Sequence, residues 1–171
     1  MKKILTIALL SLVMMTQARA QDVLNEIVNM SYATLNDTTK SKNERQVAMF
    51  KYDALNYLRS RILKPEDVFG DKVDNTQLNA KVKTLNEQAY AMNTYISVYF
   101  QRLSECKKKN IGLVKYYFKH TTADHLMFND EEDTMYVEAY FNKEDFPVPF
   151  SLNCDWVKSL EAIRSFDWSD K

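Results

Sequence analysis

From residue 22 onward the apolar side chains recur first at helical spacing, then at alternate positions, then at helical spacing again. Leu24, Ile27, Val28 and Leu35, with Ser31 between, predict a first helix over Asp22 to Leu35, ended by the turn-prone Asn36-Asp37-Thr38-Thr39. Ser41-Lys42-Asn43-Glu44 fits a capping box. It opens a second helix with Val47, Phe50, Ala54, Leu58 and Ile62 on one side. Pro65 predicts its stop, because proline disfavours helix at the residue before it. A loop through Gly70 to Asp74 leads to a third helix, from about Thr76 to Cys106.

That third helix carries the strongest pattern in the chain. Leu78, Val82, Leu85, Ala89, Met92, Ile96, Tyr99, Leu103 and Cys106 step by four and three, a heptad seam. At ~1.5 Å per residue it would run about 46 Å. A compact domain of this size is roughly 38 Å across, so the helix is expected to bend, break or project. Its off-seam positions are polar up to Gln88, whereas Tyr90, Tyr95, Val98 and Phe100 add apolar surface beyond. A helix apolar on most sides is buried, which places the core at residues 89–103 and the more exposed end at 76–88. The seam serves either an intramolecular bundle, the preferred reading, or a homodimeric coiled coil.

After Gly112 the period changes. Val114, Tyr116, Phe118 and His120 alternate with Lys115, Tyr117 and Lys119, which is strand spacing. His125 to Phe128 is a short second strand candidate. Met135, Val137, Ala139 and Phe141 alternate with Tyr136, Glu138 and Tyr140 to make a third. Phe146 to Leu152 is a fourth, confined to a sheet edge by Pro147 and Pro149. Asn153 or Asp155 then caps a last helix bearing Trp156, Leu160 and Ile163, with Phe166 and Trp168 near its end. The fold class expected is α+β: N-terminal helices including one long helix, a three- or four-stranded antiparallel meander, and a C-terminal helix.

The beginning of the chain has a different character. Lys2 and Lys3 precede an uncharged, mostly apolar run from Ile4 to Met15, and Ala18-Arg19-Ala20 follows. This order reads as a cleavable signal peptide over residues 1–20. The run is too short for a stable membrane anchor, and no later segment is apolar enough to span a bilayer. The expected mature protein is one domain over residues 21–171, periplasmic or extracellular after cleavage near Ala20. Losing Lys2, Lys3 and Arg19 leaves 20 basic against 23 acidic residues, which gives no positive field for nucleic acid. Two Gly and three Pro argue for long regular elements. Cys106 and Cys154 could form one disulfide in an oxidising compartment; the alternative is two buried thiols.

Candidate chemistry is sparse. His120, Asp124, His125 and Asp130 could offer metal ligands, but no recognised spacing occurs, and no metal or cofactor is expected. Asp130-Glu131-Glu132-Asp133 lacks the order of a calcium loop. There is no GxSxG elbow and no glycine-rich phosphate loop. Lys107-Lys108-Lys109 suits the negative end of the preceding helix. Tyr117, Tyr136 and Tyr140 fall on the parity opposite the expected core face, so a sheet would align them as an aromatic surface for a protein or glycan partner. Asp37-Thr38-Thr39 and Asp133-Thr134-Met135 match an O-glycosylation pattern of exported bacterial proteins, with Thr38 the better loop site. Asn29 and Asn36 begin N-glycosylation patterns. The function expected is therefore an exported, non-enzymatic binding or interaction protein. The alternatives are a small secreted hydrolase using dispersed acids and His120 or His125, and a structural dimer through the long helix.

Overall fold

The structure is a computed structural model that describes residues 23–70, 73–129, 139–143 and 145–168. The expected leader, Tyr136, and Asp130 to Asp133 lie outside these residues. Helices α1 (Val23–Asn36), α2 (Lys42–Ile62), α3 (Pro65–Phe69), α4 (Asn75–Glu105), α5 (Ile111–Asp124) and α6 (Trp156–Ser165) follow in order, with a 3-10 turn at Lys108–Asn110 between α4 and α5. No strand occurs among the described residues, so the fold is helical and the α+β expectation is corrected. None of these helices is long and apolar enough to cross a membrane.

The N-terminal half follows the sequence pattern except off the seam of α4, where Tyr90 and Phe100 are exposed and Asn86 and Gln88, in the end expected to be exposed, are buried. Ser41 Oγ accepts the Glu44 amide at 3.2 Å, and the Glu44 carboxylate accepts the Ser41 amide at 2.9 Å, closing the capping box of α2. Pro65 falls after α2 ends and takes the first turn of α3, where its missing N–H costs nothing. Asp74 starts α4 by accepting the Thr76 and Gln77 amides. This helix runs unbroken and packs against each of the other five. Its seam residues Leu85, Ala89, Met92, Ile96 and Tyr99 are buried within the chain, while residues 75–77, 79 and 80 are exposed. The middle of the seam is therefore occupied by this chain's own helices, while Leu78, Val82 and Leu103 toward its ends are only partly buried.

The expected first strand is helix α5. Val114 and Phe118 are alternate-parity residues, but they are also one helical turn apart, and both are buried. Thr121 and Thr122 complete that face; their hydroxyls donate to the carbonyls of Tyr117 and Lys119. Tyr116 and His120 stack on the outer side at 4.1 Å, a pairing that only a helix gives them.

The expected fourth strand is an irregular, repeatedly bent segment with no partner strand among the described residues. Phe146, Val148, Phe150 and Leu152 are buried as the alternation requires, but Ser151, Asn153 and Cys154 are buried too. A buried segment must satisfy its backbone in some other way. The Phe150 amide donates to the Val148 carbonyl at 2.8 Å, a γ-turn that suits the fixed φ of Pro149. Thr122 Oγ1 accepts the Ser151 amide at 3.0 Å. The Asn153 side chain accepts the Phe128 amide and donates to the Phe128 carbonyl, taking the place of a strand neighbour. Around this segment Phe50, Tyr95, Tyr99, Phe150 and Trp156 form the aromatic centre of the core.

Candidate functional site

The helical fold separates Tyr117 from Tyr140, the two described members of the expected tyrosine face. Tyr117 lies on α5 with its ring 3.9 Å from Phe166 and 5.7 Å from Trp168, so the chain beyond α6 covers it. Tyr140 is buried, and its hydroxyl donates to the Asp53 carboxylate. Burial, and then Asp53, push its phenol well above the ordinary range. These two residues form no common outer face.

The other candidates also separate. His120 packs between Tyr116 and the edge of Phe141, while the carbonyl of His125 accepts the Asp155 amide. No group of three or more His, Cys, Asp or Glu side chains suited to a metal occurs among the described residues. Thr38 is exposed in the α1–α2 turn beside Asp37, whose carboxylate accepts the Thr39 hydroxyl and amide. Lys107 to Lys109 follow α4 directly.

Cys106 and Cys154 are free thiols. Asp155, next to Cys154, is bonded to Gln88, which lies eighteen residues and about 27 Å of helix before Cys106, far beyond disulfide reach. Cys154 is fully buried against Ser159, and burial holds its thiol well above the ordinary range. Since thiolate is the reactive form, only the half-buried Cys106 is expected to react with Ellman's reagent in the folded protein, and Cys154 only after unfolding. Two silent cysteines in denaturant without reductant would instead reveal a bridge.

What the structure does assemble is a groove of about 480 Å³ at the junction of three helices. α1 lends Ile27, Met30, Ser31 and Thr34; α2 lends Asn43, Glu44, Val47, Ala48 and Lys51; α4 lends Asn93 and Phe100. Each set recurs at helical spacing, so every helix presents one stripe to the same space. Ser31 and Ala48 are small and buried, which leaves the floor open, and Met30 and Phe100 stand exposed at the lip. Lys40, also on the lining, pairs loosely with Glu44 at 3.8 Å in an exposed position.

Lys51 is the unusual member. Its ammonium donates to Asn93 Oδ1 at 2.6 Å, and no carboxylate pairs with it among the described residues. Withdrawal from water lowers its pKa below the ordinary lysine value. An ammonium has three donors, so this one keeps spare capacity toward the groove. Sequence reasoning missed Lys51 because a lysine beside an apolar stripe usually lays its stem along the surface and keeps its charge in water. Asn93 carried no signal either, since its role depends on α2 lying across α4.

A second cavity of about 320 Å³ shares Asn43 and Phe100 with the first, and Tyr99, Leu103, Lys115, Asp145, Phe146, Pro147 and Pro149 complete it. Comparisons with protein-family models, curated proteins and solved structures find no match for this chain.

Proposed function

We propose that this chain is an exported, non-enzymatic binding protein whose ligand occupies the groove between α1, α2 and α4. The observation that carries this reading is the groove itself. Its volume of about 480 Å³ lies within the ~300–1,000 Å³ range of small-molecule sites. Carbon atoms make most of its exposed wall, Ile27, Met30, Val47, Ala48 and Phe100 among them, and polar groups converge on it, the composition that such sites share. Export rests on the leader pattern of residues 1–20. The tyrosine surface first expected has no part in this reading.

The test is a titration of the folded mature chain with the reporter 1-anilinonaphthalene-8-sulfonate. Saturable binding at one site is expected. Val47→Trp, which fills the groove from α2, should weaken it at least about tenfold, the loss of ~1.4 kcal/mol. Failure to saturate, or equal binding by a folded Val47→Trp protein, would sink the groove as a ligand site.

A further inference from the structure

We infer that the groove binds an aliphatic carboxylate, with the acid group on Lys51 and the chain running past Phe100 toward the second cavity. This rests on the reading of the groove as a ligand site and adds the chemistry of the ligand. A half-buried ammonium held by one neutral amide is partly stripped of water, and an anion entering the groove can complete its shell. Among the described residues none supplies that anion: Glu44 pairs with Lys40, and no carboxylate pairs with Lys51. A perturbed charged group that faces a concave site is a functional-site candidate. A carboxylate supplies the missing charge and accepts the spare donors.

The rest of the ligand follows from the walls. Ile27, Met30, Val47 and Phe100 offer apolar contact and few backbone partners, which suits a hydrocarbon chain better than a peptide with an amide at every residue. Phe100 and Asn43 line both cavities, so the far end of a linear chain that passes them reaches the second, a mixed space where Leu103, Phe146 and Pro147 stand beside Lys115 and Asp145. Each methylene buried against the apolar walls of the first groove should tighten binding about fourfold, the equivalent of ~0.8 kcal/mol.

Calorimetric titration of the mature chain with octanoate, decanoate and 1-decanol tests this. Decanoate is expected to bind about tenfold or more tighter than octanoate and also tighter than the alcohol. Lys51→Met should weaken decanoate about 10- to 100-fold, as loss of a charged hydrogen bond predicts, and leave the alcohol unchanged. The same variant should hold or raise the thermal midpoint of the free protein, because it removes an uncompensated ammonium. A merely structural Lys51 would lower that midpoint instead. Equal affinity for acid and alcohol, with both displaced by Val47→Trp, would overturn the carboxylate and leave the groove standing. Binding of neither ligand would overturn both.

Discussion

Replacing Phe150 with alanine is expected to destabilise this protein by about 3–5 kcal/mol, a large share of the ~5–15 kcal/mol that holds a domain together. Phe150 is fully buried, with ring centroids 5.0 Å from Tyr99, 5.5 Å from Tyr95, 6.1 Å from Phe50 and 6.4 Å from Trp156. It sits on the irregular segment between the Phe146 region and α6, so its ring joins that segment to α2 and α4. Truncation removes the transfer free energy of the ring and leaves a cavity whose walls are helices that cannot close in. The backbone there has no ladder to fall back on, only the γ-turn at Pro149 and the bond to Thr122. Urea unfolding should show a lower midpoint at an unchanged slope. Phe150→Leu, which keeps much of the volume, should lose less than half as much. A loss under about 1 kcal/mol for the alanine variant would mean that the segment does not belong to the core.

The same segment shows why part of this fold was legible and part was not. Where one helix packs one stripe, as in α2 with Phe50, Ala54 and Leu58, the spacing was decisive, and the capping box at Ser41 fixed its start. The seam of α4 likewise located Ala89, Met92, Ile96 and Tyr99 in the core. In α5 the pattern was degenerate. Alternate positions 114, 116, 118 and 120 contain two pairs four apart, so strand and helix readings share the same residues. The deciding residues are Thr121 and Thr122, which bond back to their own helix and face the core. Residues 146–152 do alternate, yet the Phe146 and Phe150 amides bond to nearby carbonyls and the Ser151 amide to the distant Thr122 side chain, not to a neighbouring strand. The groove was illegible for a related reason. Ser31, Ala48 and Lys51 define it only when α1, α2 and α4 meet, and none is unusual within its own helix.

Gln88 ties the last helix to the long one, and Gln88→Glu is expected to cost about 3 kcal/mol at pH 7 and progressively less on acidification. The side chain is buried, with Oε1 accepting the Trp156 amide at 2.7 Å and Nε2 donating to Asp155 Oδ1 at 3.0 Å. Asp155 in turn caps α6 at Lys158 and pairs with its ammonium at 3.1 Å. Burial alone would raise the Asp155 carboxyl, but the bonds from Gln88 and Lys158 outweigh it and leave its pKa lowered. A lowered folded pKa stabilises above the unfolded value of 3.8 and is lost as pH falls through the folded one. The substitution keeps the shape and the acceptor for Trp156 but sets a second carboxylate against Asp155. That added acid has its folded pKa raised, so its penalty is full well above its unfolded value of ~4.3 and fades as pH falls toward it. One proton held between the two oxygens then replaces the lost N–H donor. Denaturation at pH 7, 5.5 and 4 should therefore show the gap to the parent narrowing to under about 1 kcal/mol. Gln88→Leu, which removes both bonds, should remain destabilised throughout that range. A Gln88→Glu protein as stable as the parent at pH 7 would show that α6 is not held through this amide.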